Sequence, residues 1–158
     1  MKTTNSPRFR TLNTAEIEEI LARNHVGRLA FARENHVDIE PIHYVYSNGW
    51  LYGRTSPGRK LEAIGGKWRP VAFEVDEVED LFSWRSVVVR GGFYVIDAEG
   101  GPAEREERQR AIGLLRRLVP QTNTADDPVS FRNVLFRIAV QDATGRAAEP
   151  APDSLELP

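Results

Sequence analysis

Residues 37–54, VDIEPIHYVYSNGWLYGR, decide the fold of this chain. From Val37 to Ser47 apolar and polar residues alternate, and Ile, Val and Tyr are frequent, as a half-buried strand requires. Asn48-Gly49 then offers two residues that tolerate positive φ, the strongest short hairpin signal. Trp50 to Arg54 is the returning strand. The chain therefore contains an antiparallel ribbon near its middle, and the flanking segments extend it.

Upstream, Val26 to Arg33 (VGRLAFAR) reads as a strand, with Asn35 marking the turn into the ribbon. Ahead of it, Ile17, Ile20 and Leu21 share one helical face, so Thr14 to Arg23 reads as an amphipathic helix. Asn13 with Glu16 three residues later forms a capping box, and Asn24 is a stop. Met1 to Leu12 is polar and reads as an extended arm. Downstream, Pro57 to Ile64 suits a short helix closed by Gly65-Gly66. Arg69 to Val78 and Trp84 to Asp97 are strands, with a bulge or bend expected at Gly91-Gly92. Ala103 to Val119 is a helix closed by Pro120, and a polar loop spans 121–130. Phe131 to Asp142 is the last strand, and residues 143–158 form a tail that is mobile or draped over a neighbour.

The sum is six strands and three helices. Most strands follow one another without a crossover helix, so the expected class is mainly β with flanking helices, an antiparallel sheet closed into a barrel. One domain over 13–142 carries it, between the arm 1–12 and the tail 143–158.

Composition narrows the function. The chain has 158 residues, enough for a core without staples, and 41% hydrophobic with 28% charged residues is ordinary globular content. A net charge of −2 provides no global pull toward nucleic acid or an anionic membrane. No cysteine is present, which removes disulfides, thiolate metal sites and cysteine nucleophiles and fits a reducing cytoplasm, the expected location. No apolar run is long enough for a membrane helix, and the N-terminus lacks the apolar stretch of a secretory signal. His25, His36 and His43 do not have metal-ligand spacing, so no metal site is expected. The G-x-S-x-G elbow of serine hydrolases is missing.

One segment points to chemistry. Tyr52 to Lys60, YGRTSPGRK, is a strand end, a tight polar turn and a helix start. Unpaired amides and the dipole make such a helix start attractive to an anion. Thr55 and Ser56 add hydroxyls, and Arg54, Arg59 and Lys60 add three cations. A capped helix with solvated basic residues is the plainer alternative, but three cations exceed what capping needs. The turn resembles a P-loop from Gly53 to Gly58 and then departs from it, because Arg59 precedes Lys60 and Leu61 replaces the magnesium-binding hydroxyl. A phosphate or carboxylate pocket is expected, without triphosphate hydrolysis.

Two further segments complete the pattern. Pro41 to Tyr46, PIHYVY, can pack a flat ring or serve as aromatic core, and His43 is either an outward strand residue or a ring contact. Ser83 to Gly91, SWRSVVVRG, carries a continuous Val run. Such a run implies burial on both faces, either between the core and a second subunit or centrally within one chain.

Together, in register, these segments resemble the pyridoxamine 5′-phosphate oxidase-like superfamily of FMN-binding split barrels, and especially its branch related to nitroimidazole-resistance proteins. The matching motifs are Gly27-Arg28-Leu29-Ala30, Pro41-Ile42-His43-Tyr44, Thr55-Ser56-Pro57-Gly58-Arg59-Lys60, Val71-Ala72-Phe73-Glu74-Val75 and Ser86-Val87-Val88-Val89-Arg90-Gly91. The resemblance implies a six-stranded split barrel and a homodimer with one FMN in each of two interface clefts. It implies that Arg54, Thr55, Arg59 and Lys60 hold the phosphate, that Pro41, Ile42 and His43 lie against the isoalloxazine, and that Ser86 falls where the oxidases carry a flavin-contacting glutamine. Trp84 and Arg85 are candidates for the flavin or substrate cavity. The same barrel accommodates deazaflavin F420 or haem in relatives, and a non-catalytic flavin-binding or stress-associated module is a further alternative. Glu40 stands where the oxidases open their second-strand motif with arginine, and their C-terminal tryptophan and arginine–histidine pair have no counterpart after Phe131. Pyridoxamine phosphate is therefore not the expected substrate. The implied activity is electron transfer from a reduced nicotinamide to a small organic acceptor.

Overall fold

The computed structural model describes residues 6–58 and 68–151. The expected hairpin is present: β4 (Val45–Ser47) pairs with β5 (Trp50–Thr55), with Ser47 opposite Trp50. Asn48 and Gly49 both take positive φ, 47° and 82°, which matches the turn twist to that of the strands.

The strand expected over 37–47 is divided in two. β3 (His36–His43) pairs with β2 (Val26–Arg33), and β4 leaves it at Tyr44. The Tyr44 side chain is fully buried, and its hydroxyl donates to the Leu21 carbonyl at 2.8 Å. Burial holds this phenol in its neutral form, its pKa well above the ordinary value. An aromatic ring pulled inward to meet a helix breaks the ladder at that point.

Leu21 lies on α1 (Thr14–Arg23), whose cap matches the expected box. The Asn13 side chain accepts from Glu16 N at 2.9 Å, and the Glu16 carboxylate accepts from Asn13 N at 3.2 Å. The buried face is Ile17, Ile20 and Leu21.

The sheet runs β3-β2-β6-β7-β8-β5-β4, with β6 (Arg69–Asp80), β7 (Ser83–Val95) and β8 (Val134–Ala139). β7 is shared by two partners on one edge. Its first half, Trp84–Arg90, pairs with β9 (Asp142–Glu149), and its end, Phe93–Val95, pairs with β8. The partner changes at Gly91-Gly92. A Cβ on Gly91 would sit 1.6 Å from the Ala139 carbonyl oxygen, so only glycine permits the approach. Of the bulge or bend expected at these glycines, no bulge forms. The ladder to β6 runs straight through them, and the register shift falls between Val78 and Asp80.

Among the described residues nine strands form the sheet, rather than the six expected. One extra strand comes from the division at Tyr44. The others come from the segments read as arm and tail: β1 (Arg8–Thr11) pairs with β9, and β9 pairs with β7. Arg10 ties this corner together, bonding Glu16 at 2.9 and 2.7 Å and Glu149 at 2.6 Å. β9 reads DATGRAAE, which has little β propensity, yet Ala147 and Ala148 are buried by the ladder. The last strand, expected over 131–142, is shorter at both ends: Phe131–Asn133 lie in the preceding loop, and Asp142 already belongs to β9.

Two cores result. Inside the barrel, Ile17, Ile20 and Leu21 of α1 join Leu29, Phe31, Tyr44, Phe73, Val87 and Val89 in one buried cluster, with Phe93 stacked on Phe136. Outside it, α2 (Pro102–Leu115) lays Ala111, Ile112, Leu114 and Leu115 against Val45, Tyr52 and Leu135. β5 and β8 are thus covered on both faces. The helix expected to Val119 gives way after Leu115 to tighter turns, Arg117 N bonding Leu114 O and Leu118 N bonding Leu115 O. The helix expected over 57–64 falls largely on residues 59–67, outside the described residues.

Candidate functional site

β3 and β5 end side by side, and between their ends lies a cleft of about 410 Å³. Pro41, Ile42 and His43 form one wall, and Arg54, Thr55 and Ser56 form the other. Glu40 and Val26 edge it, and Phe131 with Arg132 close it from the loop ahead of β8. The turn and the strand singled out in the sequence therefore face one space, although neither segment predicts the position of the other.

The loop is held by one carboxylate. Asp127 accepts from Arg54 Nη1 at 2.5 Å and Nη2 at 3.2 Å, and from the backbone amides of Asn123 at 2.9 Å and Val129 at 3.1 Å. Its side chain is 3% exposed and that of Arg54 is 10%. The Arg54 guanidinium, followed by the two amides, holds the Asp127 carboxyl far below the usual carboxylate range. Arg54 therefore reaches the cleft with its charge already matched. Its main work is to fix the loop that carries Phe131 and Arg132.

Arg132 is the cation that sequence reading missed. It lines the cleft, its guanidinium stands 5.7 Å from the Phe131 ring centroid, and among the described residues no carboxylate pairs with it. Its spacing from the phosphate turn, more than seventy residues, offers no signal in the sequence, since only the β5–β8 pairing brings it there.

Thr55 is buried at the end of β5, opposite Val134. Arg59 and Lys60 lie outside the described residues. Ser86 is elsewhere: it sits on the sheet face opposite Val87 and Val89, paired with Asp76, and its hydroxyl donates to Glu74 Oε2 at 3.3 Å. Burial, with Asp76 nearby and against the pull of Arg28, raises the Glu74 carboxyl above its ordinary value. Trp84 and Arg85 also stand apart from the cleft, lining a hollow with Arg23, Glu77 and Glu149. Among the described residues, no three His, Asp or Glu side chains gather as a metal site would need.

A second hollow of about 330 Å³ adjoins the first and shares His43, Arg54 and Arg132 with it. Its remaining walls are apolar, contributed by the end of α2 and the pinned loop.

The cleft's size falls in the range of small-molecule sites. One wall offers hydroxyls and a strand end, the loop offers Arg132, and the other wall offers a proline, an isoleucine and an imidazole. That set suits a flat ring with an anionic tail.

Comparison with known proteins agrees with this architecture. A FAD-binding protein of Mesorhizobium loti superposes with a TM-score of 0.71 at 30% identity, over 91% of this chain and 99% of that one. A FAD-binding protein of Mycobacterium smegmatis gives 0.61 at 26% identity, over 87% and 99%. An uncharacterised protein of Rhizobium meliloti (strain 1021) is 27% identical over 150 residues, 88% of this chain and 95% of its own length. The profile of the pyridoxamine 5′-phosphate oxidase family matches residues 13–147. With most of its length matched and a split barrel as its fold, this chain belongs to the pyridoxamine 5′-phosphate oxidase family.

Proposed function

We propose that the cleft between β3 and β5 holds a flavin, FMN in the first instance, and that the protein passes electrons from a reduced nicotinamide to a small organic acceptor. The observation that carries this reading is the convergence of Pro41–His43 and Arg54–Ser56 on one space of suitable size. The phosphate lies at the turn after β5, bound by Thr55, Ser56, Arg59 and Lys60. The ring lies against Pro41, Ile42 and His43. Asp127 keeps Arg54 and the loop in place, so the wall is formed before the cofactor arrives. The flavin supplies the redox chemistry, while these residues bind and orient it.

FAD is the second reading, favoured by two solved relatives above 25% identity whose names state that cofactor. The same reading includes a homodimer. On β7, Val87 and Val89 are fully buried in the barrel, while Val88 on the opposite face is only half covered within one chain. No helix among the described residues is long and apolar enough to cross a membrane.

The test is to purify the protein, record its absorption spectrum, and identify released cofactor by chromatography. A flavin spectrum with FMN or FAD released supports the proposal. A haem spectrum, an F420 spectrum, or a colourless protein that takes up neither flavin overturns it. Oxidation of reduced nicotinamide with added acceptors then tests the activity.

A further inference from the structure

We infer that the apolar hollow behind His43 is a binding site for a compact apolar monoanion, a small aromatic or alicyclic acid. This rests on the flavin reading above for its relation to the cofactor, but its own chemistry stands on the walls.

Leu115, Leu118, Val119, Pro128 and Val129 form the closed side. They come from two elements that the Arg54–Asp127 pair and the Thr122 contacts fix against each other. Arg116 Nε donates to the Thr122 carbonyl at 3.0 Å, and the Thr122 hydroxyl donates to the Val119 carbonyl at 2.5 Å. The hollow is thus preformed. Its apolar walls favour a hydrocarbon body, because burying such a body there releases water from both surfaces.

The open side carries the charge. Arg54 is matched by Asp127, and among the described residues on the rim Arg132 is the cation that no carboxylate pairs with. A single anionic group on the ligand would meet it at the junction with the cofactor cleft. A nucleoside fits less well: among the described residues that line the hollow, none is a carboxylate or amide side chain to accept from an adenine amino group, and a buried unpaired donor is costly. The site therefore selects an apolar acid and places its charged end toward the cofactor.

The experiment uses 1-naphthoate as probe, titrated calorimetrically into the full chain with and without FMN. The expected result is binding in both cases, weakened about tenfold or more by Leu118→Glu and by Val129→Glu, which put a carboxylate into the apolar wall. FMN affinity should stay within about twofold in Leu118→Glu, since that residue does not line the cofactor cleft. Arg132→Gln should abolish the preference for 1-naphthoate over neutral 1-naphthalenemethanol. Circular dichroism and FMN affinity identify a variant that fails to fold, and the other then carries the test. Absence of 1-naphthoate binding at about 1 mM, or equal affinity in folded variants, overturns the inference. Displacement by FAD but not by FMN also overturns it, assigning the hollow to the second half of a dinucleotide. Intact 1-naphthoate binding in a chain that takes up no flavin supports this site and counts against the flavin reading alone.

Discussion

Arg54 and Asp127 lie 73 positions apart and form a forked ion pair, 2.5 and 3.2 Å, behind the wall of the candidate cleft. Both side chains are largely withdrawn from solvent. The pair joins the end of β5 to the loop that carries Phe131 and Arg132, so it fixes one side of the cleft.

Asp127→Asn should lower the melting temperature and weaken flavin binding together, because it unpairs Arg54 and frees the loop. Its effect should depend on pH. The Asp127 carboxyl is held below its ordinary value of 3.8, so its stabilisation is present above that value and is lost as pH falls through the folded pKa. Thermal unfolding of both proteins should give a gap that is constant near neutrality and closes in acid. A gap that widens in acid would contradict the assignment.

Gly91→Ala should prevent folding or leave an aggregating chain. The added Cβ would meet a backbone carbonyl at 1.6 Å, and β7 cannot move without losing three partner strands. Gly113→Ala is the control, since a Cβ there meets nothing within 4 Å and removes a helical glycine. Soluble yield and circular dichroism of the two variants decide the matter.

Tyr52 should be a late-titrating tyrosine. Burial, together with its 2.6 Å hydrogen bond to Glu107, pushes its phenol up to about 12. A phenol raised in the folded state contributes stability below its ordinary value of about 10 and loses it as pH rises through the folded value. Tyr52→Phe should remove one high-pH step from an ultraviolet tyrosinate titration. It should cost about 1 kcal/mol at neutral pH, since Glu107 keeps Arg137 at 3.2 Å.

The barrel was largely legible in the sequence, and the reasons are local. Asn48-Gly49 encodes its own turn, and Asn13 with Glu16 encodes its own cap. β1 and β9 were not legible because neither carries an apolar alternation. RFRT and DATGRAAE become strands only because β7 offers a free edge and Leu12 plugs the core beside Gly145. Half of the cleft could be read from Pro41–His43 and Arg54–Ser56, whose residue types suit the chemistry. The Asp127 clamp and Arg132 could not be read, since loop residues carry no period and their neighbours are set by β8 pairing with β5. Ser86 shares a motif with the family, yet in this chain it bonds Glu74 away from the cleft.

The half-covered face of β7 predicts association. Val88→Arg should shift a dimer toward monomer in sedimentation velocity at micromolar concentration, with the far-ultraviolet spectrum unchanged. A wild-type chain that sediments as a monomer would reject the dimer outright.

The most direct measurement is an FMN titration of the wild-type chain and of the double variant Arg59→Ala with Lys60→Ala. Charge-assisted hydrogen bonds to phosphate contribute about 1.5–3 kcal/mol each, so affinity should fall about a hundredfold or more while the fold persists. Unchanged FMN affinity in a folded double variant would contradict the claim that the turn after β5 cradles the cofactor's phosphate.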